Sequence, residues 1–464
     1  MKKSMAGALV LGLLWAGSAA AMNHSFIVGT FATPSDVTKT CLECHEDASA
    51  QMMKTTHWTW ESEQIIDGKK VKRGKKNVLN NFCIAVKSNE PRCTSCHVGY
   101  GWKDDSFDFT DETKVDCLVC HDTTGTYKKP PTGAGMPDPK LDLTNIAKNV
   151  GVPERDDCLT CHANGGGGNN VKHGDIDTSL INPTAEIDFH MGTDSLDFSC
   201  QECHVTTDHQ IPGSSLIVSP NNTNQVTCEQ CHDNAPHAES LLNQHAASVA
   251  CQTCHIPTFA KEHATKMTWD WSASEKDTKV EKEHGHKVFI PMKGRFTYEQ
   301  NVTPEYRWYN GSAGAYTLGE KIDPSKVTAL NYPLGSIADN KAKIMPFKVH
   351  RGKQIYDAGN NYFITPKVWG PKGDPIAYWQ NFQAKGSEEA WKVAAAAGME
   401  ANGLEFSGEI GFAPTETYWA INHMVAKADE ALDCLDCHGD SGRLDWAALG
   451  YKGDPLTTPG AARK

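Results

Sequence analysis

Eight copies of Cys-x-x-Cys-His punctuate this 464-residue chain. They are Cys41, Cys44 and His45; Cys93, Cys96 and His97; Cys117, Cys120 and His121; Cys158, Cys161 and His162; Cys200, Cys203 and His204; Cys228, Cys231 and His232; Cys251, Cys254 and His255; and Cys434, Cys437 and His438. Two thiols three apart, followed at once by an imidazole, form the attachment signature of c-type haem: the thiols make thioethers with the vinyl groups and the imidazole is placed to bind iron. One such motif could arise by chance or bind zinc. Eight, each with its own histidine, leave no comparable alternative. They also override the disulfide framework that seventeen cysteines would otherwise suggest. Only Cys83 stands outside the motifs.

The first residues read as an export signal over 1–21. Lys2 and Lys3 form a basic start, Ala6 to Trp15 an apolar stretch too short to span a bilayer, and Ala19 to Ala21 a small-residue cleavage site. An uncleaved anchor is the bland alternative. No second long apolar run follows, so a soluble periplasmic protein is expected. The formal charge of −12 gives no support to nucleic-acid binding. Hydrophobic residues make up 39% of the chain, below the usual share. Eight porphyrins would supply the missing apolar surface, giving a chain that is not stable without them.

The expected fold is mainly α with a small β-containing region, organised around eight covalent haems. Residues 22–464 read as one octahaem domain: a haem-dense core over 22–260, a wrapping segment over 261–410, and C-terminal helices with the last haem site over 411–464. Lys348 to Thr365 reads as a hairpin around Ala358-Gly359-Asn360. Ser387 to Ala397 reads as a helix ended by Gly398, and Thr417 to Leu432 as another, carrying His423. Lys69 to Lys76 holds six basic residues in eight positions, either a solvated loop or local attraction for an anion. The glycine run Gly165 to Gly168 is either a flexible linker or a site of close backbone approach.

A low-spin haem needs a second axial ligand. Among the twelve histidines outside the motifs, His57, His190, His209, His237, His245 and His423 sit closest to motifs and are favoured as distal ligands, with His24 also a candidate. His173 and His350 are left open. His284 and His286 fall in a polar run and are expected to be exposed. Cys83 is either a small buried hydrophobe or a thiol for sulfur chemistry.

The eight motifs, the solitary Cys83, Val171-Lys172-His173-Gly174-Asp175, Cys254-His255-Ile256-Pro257 with Trp269-Asp270-Trp271, and Leu449-Gly450-Tyr451 together resemble the octahaem tetrathionate reductases. The likeness covers essentially the whole chain after residue 21. It implies a periplasmic respiratory protein with eight covalent haems, one of which is attached through Cys93 and Cys96 yet has its iron held by Lys172, with Cys83 nearby and His97 displaced. Lys172 and Cys83, with the Cys93 and Cys96 haem, then form the expected reaction centre. Lysine must be neutral to ligate, and burial favours that form. The implied reaction splits tetrathionate into two thiosulfates with two electrons from a periplasmic or membrane-associated donor. Nitrite and hydroxylamine are alternative substrates, and a non-catalytic electron-transfer protein is the alternative of a different class. A bound calcium ion is left open, with no motif to support it.

Overall fold

Two thiols three residues apart share a face only on a helical turn, and the chain folds its motifs accordingly. The computed structural model describes residues 24–66, 69–82, 84–217, 225–461 and 463. The expected signal segment 1–21 and Cys83 lie outside the described residues. Single turns span Cys200–Cys203, Cys251–His255 and Cys434–Cys437, while Arg155–His162 carries Cys158 and Cys161. Pro34–Leu42 opens on a Thr33–Asp36 capping box and delivers Cys41. Among the described residues only two further helices reach eight residues, Tyr378–Lys385 and Ser387–Ala401.

The expectation of a mainly α fold is therefore corrected: the largest single element is a ten-stranded sheet. A separate hairpin of β1 (Ser62–Ile66) and β2 (Lys69–Arg73) precedes it. The sheet comprises β3 (Thr265–Asp270), β4 (Glu281–Glu283), β5 (His286–Ile290), β6 (Gly294–Glu299), β7 (Glu305–Tyr309), β8 (Ala313–Ala315), β9 (Thr328–Pro333), β10 (Lys343–Asp357), β11 (Tyr362–Phe363) and β12 (Ile410–Ala420). Its order is β4-β5-β6-β3-β10-β12-β9-β8, and β7 and β11 also pair with β10. β10 runs antiparallel to β12 from Phe347↔Ala420 to Asp357↔Ile410, and parallel to β3. The hairpin around Ala358-Gly359-Asn360 is present, though its return strand is only Tyr362–Phe363.

Two further expectations fail. Thr417 to Leu432 is not a helix: Thr417 to Ala420 end β12, and only Ala428–Glu430 turns helically. The run Thr415-Glu-Thr-Tyr-Trp419 is rich in β-branched and aromatic residues, which suit a strand packed on both sides. The segment after residue 410 therefore holds a strand and one-turn helices. Gly398 does not end a helix either. It is buried inside Ser387–Ala401, where a Cβ would come 1.8 Å from the Thr365 carbonyl oxygen.

The main hydrophobic cluster lies between the sheet and these two helices. Trp271, Phe382 and Trp391 are fully buried there, and Tyr378 stacks on Trp391 with centroids 3.7 Å apart. The loop before the second motif is pinned to the sheet centre. Asn81 Nδ2 donates to Thr415 Oγ1 at 2.8 Å and Gln354 Nε2 to the Asn80 carbonyl at 2.6 Å. Among the described residues no helix is long and apolar enough to cross a membrane.

Candidate functional site

Seven of the eight motif histidines face a second imidazole. Ring centroids lie 6.3 Å apart for His45 and His24, 6.0 Å for His162 and His57, and 6.4 Å for His121 and His209. The remaining pairs are His232 with His190 at 6.1 Å, His204 with His423 at 6.3 Å, His255 with His237 at 6.1 Å, and His438 with His245 at 6.3 Å. Two imidazoles on opposite faces of one metal, each nitrogen about 2 Å from it, put their centroids roughly 6 Å apart. The gaps thus fit an iron in each. All six favoured distal histidines take part, and so does the further candidate His24. His173 also lies 6.4 Å from His162, so that ring has two imidazole neighbours.

Hydrogen bonds fix which nitrogen is free. Nδ1 of His121, His204 and His245 faces the carbonyls of Gly151, Pro212 and Leu241 at 2.7, 2.7 and 2.9 Å. Nδ1 of His209 and His237 faces Gln51 Oε1 and Asn243 Oδ1. Nδ1 of His423 and His438 faces Asp175 and Asp454, at 3.1 and 2.5 Å. An oxygen acceptor at Nδ1 keeps the hydrogen there and leaves the Nε2 lone pair for a metal.

His97 is the exception, and in the opposite sense. Its Nε2 sits 2.7 Å from the Trp58 carbonyl oxygen, while its Nδ1 is buried without a partner. A carbonyl only accepts, so Nε2 carries the hydrogen and has no lone pair to give. Trp58, Trp60, Trp102 and Phe107 surround the ring, with centroids between 4.9 and 5.7 Å of it or of one another. Burial drives its pKa down to about 3.

Lys172 lies beside the same motif. It is driven down to about 7, chiefly by burial and then by the nearby Lys75 charge, while the Cys96 and Cys93 thiols pull the other way. Its Nζ is 4.8 Å from the centre of the Trp419 ring. The glycine run is a place of close approach: a Cβ on Gly165 would lie 3.2 Å from Lys172 Cδ, and one on Gly166 would crowd Val171 and Phe82. The basic run is drawn in too. Lys75 Nζ is 3.8 Å from the centre of the Trp60 ring, and its charge also reaches His57, His97 and His162.

A cavity of about 200 Å³ lies nearby, reaching the neighbours of this centre in the chain, Arg92 and Val171, but not Lys172 or the Cys93 and Cys96 thiols themselves. Gly166 and Val171 line it together with Arg92, Lys266, Lys287 and Lys293, and no carboxylate does. Lys266 Nζ rests over Phe296 and Trp269 at 3.8 and 4.1 Å. A larger cleft of about 490 Å³ carries both signs of charge and no cysteine or histidine, so it offers no chemistry of this kind. His350 is fully buried 4.9 Å from Phe82, with neither ring nitrogen partnered; no motif histidine faces it among the described ring contacts. His284 is exposed, and His286 stacks on Tyr298 at 4.6 Å. Among the described residues no group of three or more histidine, cysteine or acidic side chains is arranged to hold a metal ion.

Thiols of different motifs lie side by side: Cys41 with Cys117, Cys96 with Cys161, Cys158 with Cys200, and Cys228 with Cys251. Cys120 neighbours Cys158, Cys203 neighbours Cys231, and Cys254 neighbours Cys434. The motifs therefore form one string, with the Cys93 turn branching from the Cys158 turn. Sequence reasoning missed the Trp58 carbonyl, Lys266 and Lys348. Only Lys348 left a signal, as a lysine within the apolar run Ile344 to Val349.

The family model described as bacterial cytochrome c matches residues 266–441. The model for cytochrome c554 and c-prime matches 40–122 and 178–233; Lys172 lies between those two segments. An uncharacterised protein of Archaeoglobus fulgidus is 26% identical over 239 residues, 40% of this chain and 78% of that one. The crystal structure of an octahaem cytochrome c from Shewanella oneidensis is 52% identical, with a TM-score of 0.89, covering 95% of this chain and 99% of that one. A likeness of that depth over both whole chains, added to motifs and paired imidazoles that suit covalent haem c, shows that this chain belongs to the octahaem c-type cytochromes.

Proposed function

We propose that this multihaem cytochrome is a periplasmic reductase that carries eight haems and splits tetrathionate at the Cys93 and Cys96 site. The observation that carries the reading is the inverted His97: its iron-binding nitrogen is occupied by the Trp58 carbonyl, while a half-buried lysine, Lys172, lies within electrostatic reach of the same two thiols. Haem c, when bound, supplies one-electron redox chemistry and, where one axial position stays unfilled, a place for an outside molecule. Seven histidine pairs would fill both axial positions at the other sites. Lys172 would offer its neutral amine at the eighth, burial disfavouring the ammonium. Arg92, Lys266, Lys287 and Lys293 would gather an anion into the cavity and stabilise the two thiosulfates as charge builds on them. Tetrathionate, a dianion, suits that lining. The side-by-side thiols support delivery of electrons from a periplasmic or membrane-associated donor.

The test is turnover with a reduced dye, comparing tetrathionate, nitrite and hydroxylamine on wild type and Lys172→Ala. Wild type is expected to consume tetrathionate. Lys172→Ala should retain eight haems and lose at least about tenfold in rate, the loss of one ligand contact of roughly 1.4 kcal/mol or more. Undiminished turnover in the variant removes Lys172 from the reaction centre. No turnover of any of the three, with eight low-spin haems, makes the protein an electron conduit.

A further inference from the structure

We infer that Lys348 is the positioning residue that holds Lys172 at the reaction centre. The inference rests on the reading above that Lys172 is an iron ligand. Lys348 stands on β10, the central strand, and is fully buried. A buried lysine is normally matched by a carboxylate, yet among the described residues Lys348 makes no ion pair, and burial pushes its pKa well below the ordinary lysine value. Its Nζ is held instead by the Val171 carbonyl at 3.0 Å, the Lys172 carbonyl at 2.9 Å and Thr265 Oγ1 at 2.6 Å. The Thr265 hydroxyl donates in turn to the Asn170 carbonyl at 2.6 Å. Three successive carbonyls, on Asn170, Val171 and Lys172, are thus tied to β3 and β10.

The neighbouring residues are shaped to that clamp. Gly174 has φ +97°, and a Cβ there would fall 2.8 Å from Phe259 and 3.0 Å from Lys348 Cδ. Only glycine lets the segment come down onto the lysine stem. Asn170, at φ +54°, donates its side-chain amide to the His263 carbonyl at 2.5 Å. One residue past Gly174, Asp175 accepts from the backbone of Asn422 and His423 and from His423 Nδ1. The segment is therefore fixed at both ends. A lysine side chain has four rotatable bonds, and an amine ligand needs its backbone held to a fraction of an ångström. Lys348 supplies that restraint from the longest described strand of the sheet. An apolar residue in its place would leave three buried acceptors short of a donor.

The experiment uses the haem-loaded protein and the electron paramagnetic resonance and optical spectra of its oxidised form. Lys348→Met is expected to abolish the signature of the amine-ligated haem while the other seven signals and the haem content stay unchanged. Thr265→Val, which removes one acceptor, should weaken the same signature partially. The amine signature persisting in Lys348→Met, or all eight signals changing alike, overturns the inference. If Lys348→Met fails to load eight haems, Thr265→Val decides: an unaltered signature overturns the inference and a selective partial loss supports it. Lys172→Ala is run beside them. No spectral change in Lys172→Ala sinks the ligand reading itself, whereas a change there with none in Lys348→Met sinks only the clamp.

Discussion

At the scale of single residues, what differs between the sites is the atom facing each Nδ1. Among the described residues, His438 is the one motif histidine whose Nδ1 meets a carboxylate, Asp454 Oδ1 at 2.5 Å, and Asp454 also accepts from the backbone of Gly439 and Leu456. A carboxylate on the far nitrogen makes an imidazole a more basic ligand and favours the oxidised metal. Asp454→Asn keeps the shape and removes the charge. The midpoint potential of the haem at Cys434 and Cys437 is then expected to rise by roughly 50 mV, the one-electron equivalent of about 1 kcal/mol of lost charge assistance. Spectropotentiometry of variant and wild type checks it, and a titration in which no wave moves counts against the pair as a tuning device. The cysteines and their histidines were legible because their chemistry is local. The partners were not: His245 faces His438 and His423 faces His204 across long stretches of chain, so proximity in sequence suggested ligation without pairing. Lys172 was legible only through family resemblance, since the Trp58 carbonyl that disables His97 has no sequence signature.

Elements were read less well where both faces are covered. Residues 344–350 of β10 are all buried, so the strand lacks the period-two alternation that marks a one-sided strand. Gly398 misled for a related reason. It sits one turn from the end of Ser387–Ala401, where glycine usually signals termination. Here it is chosen for space, because the helix lies against the backbone of Thr365 to Lys367. Thr365 Oγ1 also donates to the Gly398 carbonyl at 3.1 Å. Gly398→Ala would gain helix propensity of about 1 kcal/mol, but the helix or the 365–367 segment would have to move to admit the methyl group. A net destabilisation of about 1–3 kcal/mol is expected. Chemical denaturation should show it as a lower midpoint, and a midpoint equal to or above wild type would mean the contact relaxes freely.

Across the whole molecule, protein-made core is distributed unevenly. The largest hydrophobic cluster draws mainly on residues 269–419. By contrast no residue from 225 to 249 is buried, and the longest regular element there is Ser240–His245. That stretch nevertheless carries Cys228, Cys231 and His232, with His237 and His245 aimed at rings elsewhere. Apolar contact with a bound porphyrin, and the covalent and axial bonds to it, must then supply what the side chains do not, since ordering each residue costs about 1–2 kcal/mol. Binding that only the folded state can make stabilises it in proportion. The sheet half does not depend on this to the same degree, because β10, β12 and the helix Ser387–Ala401 bury one another. In a chain produced without haem attachment, hydrogen exchange followed by mass spectrometry is therefore expected to show 225–249 unprotected while amides of β10 and β12 stay slow. Equal protection in the two regions would mean that the protein alone orders the haem-dense half. Equal loss would mean that the sheet, too, is built on the cofactors.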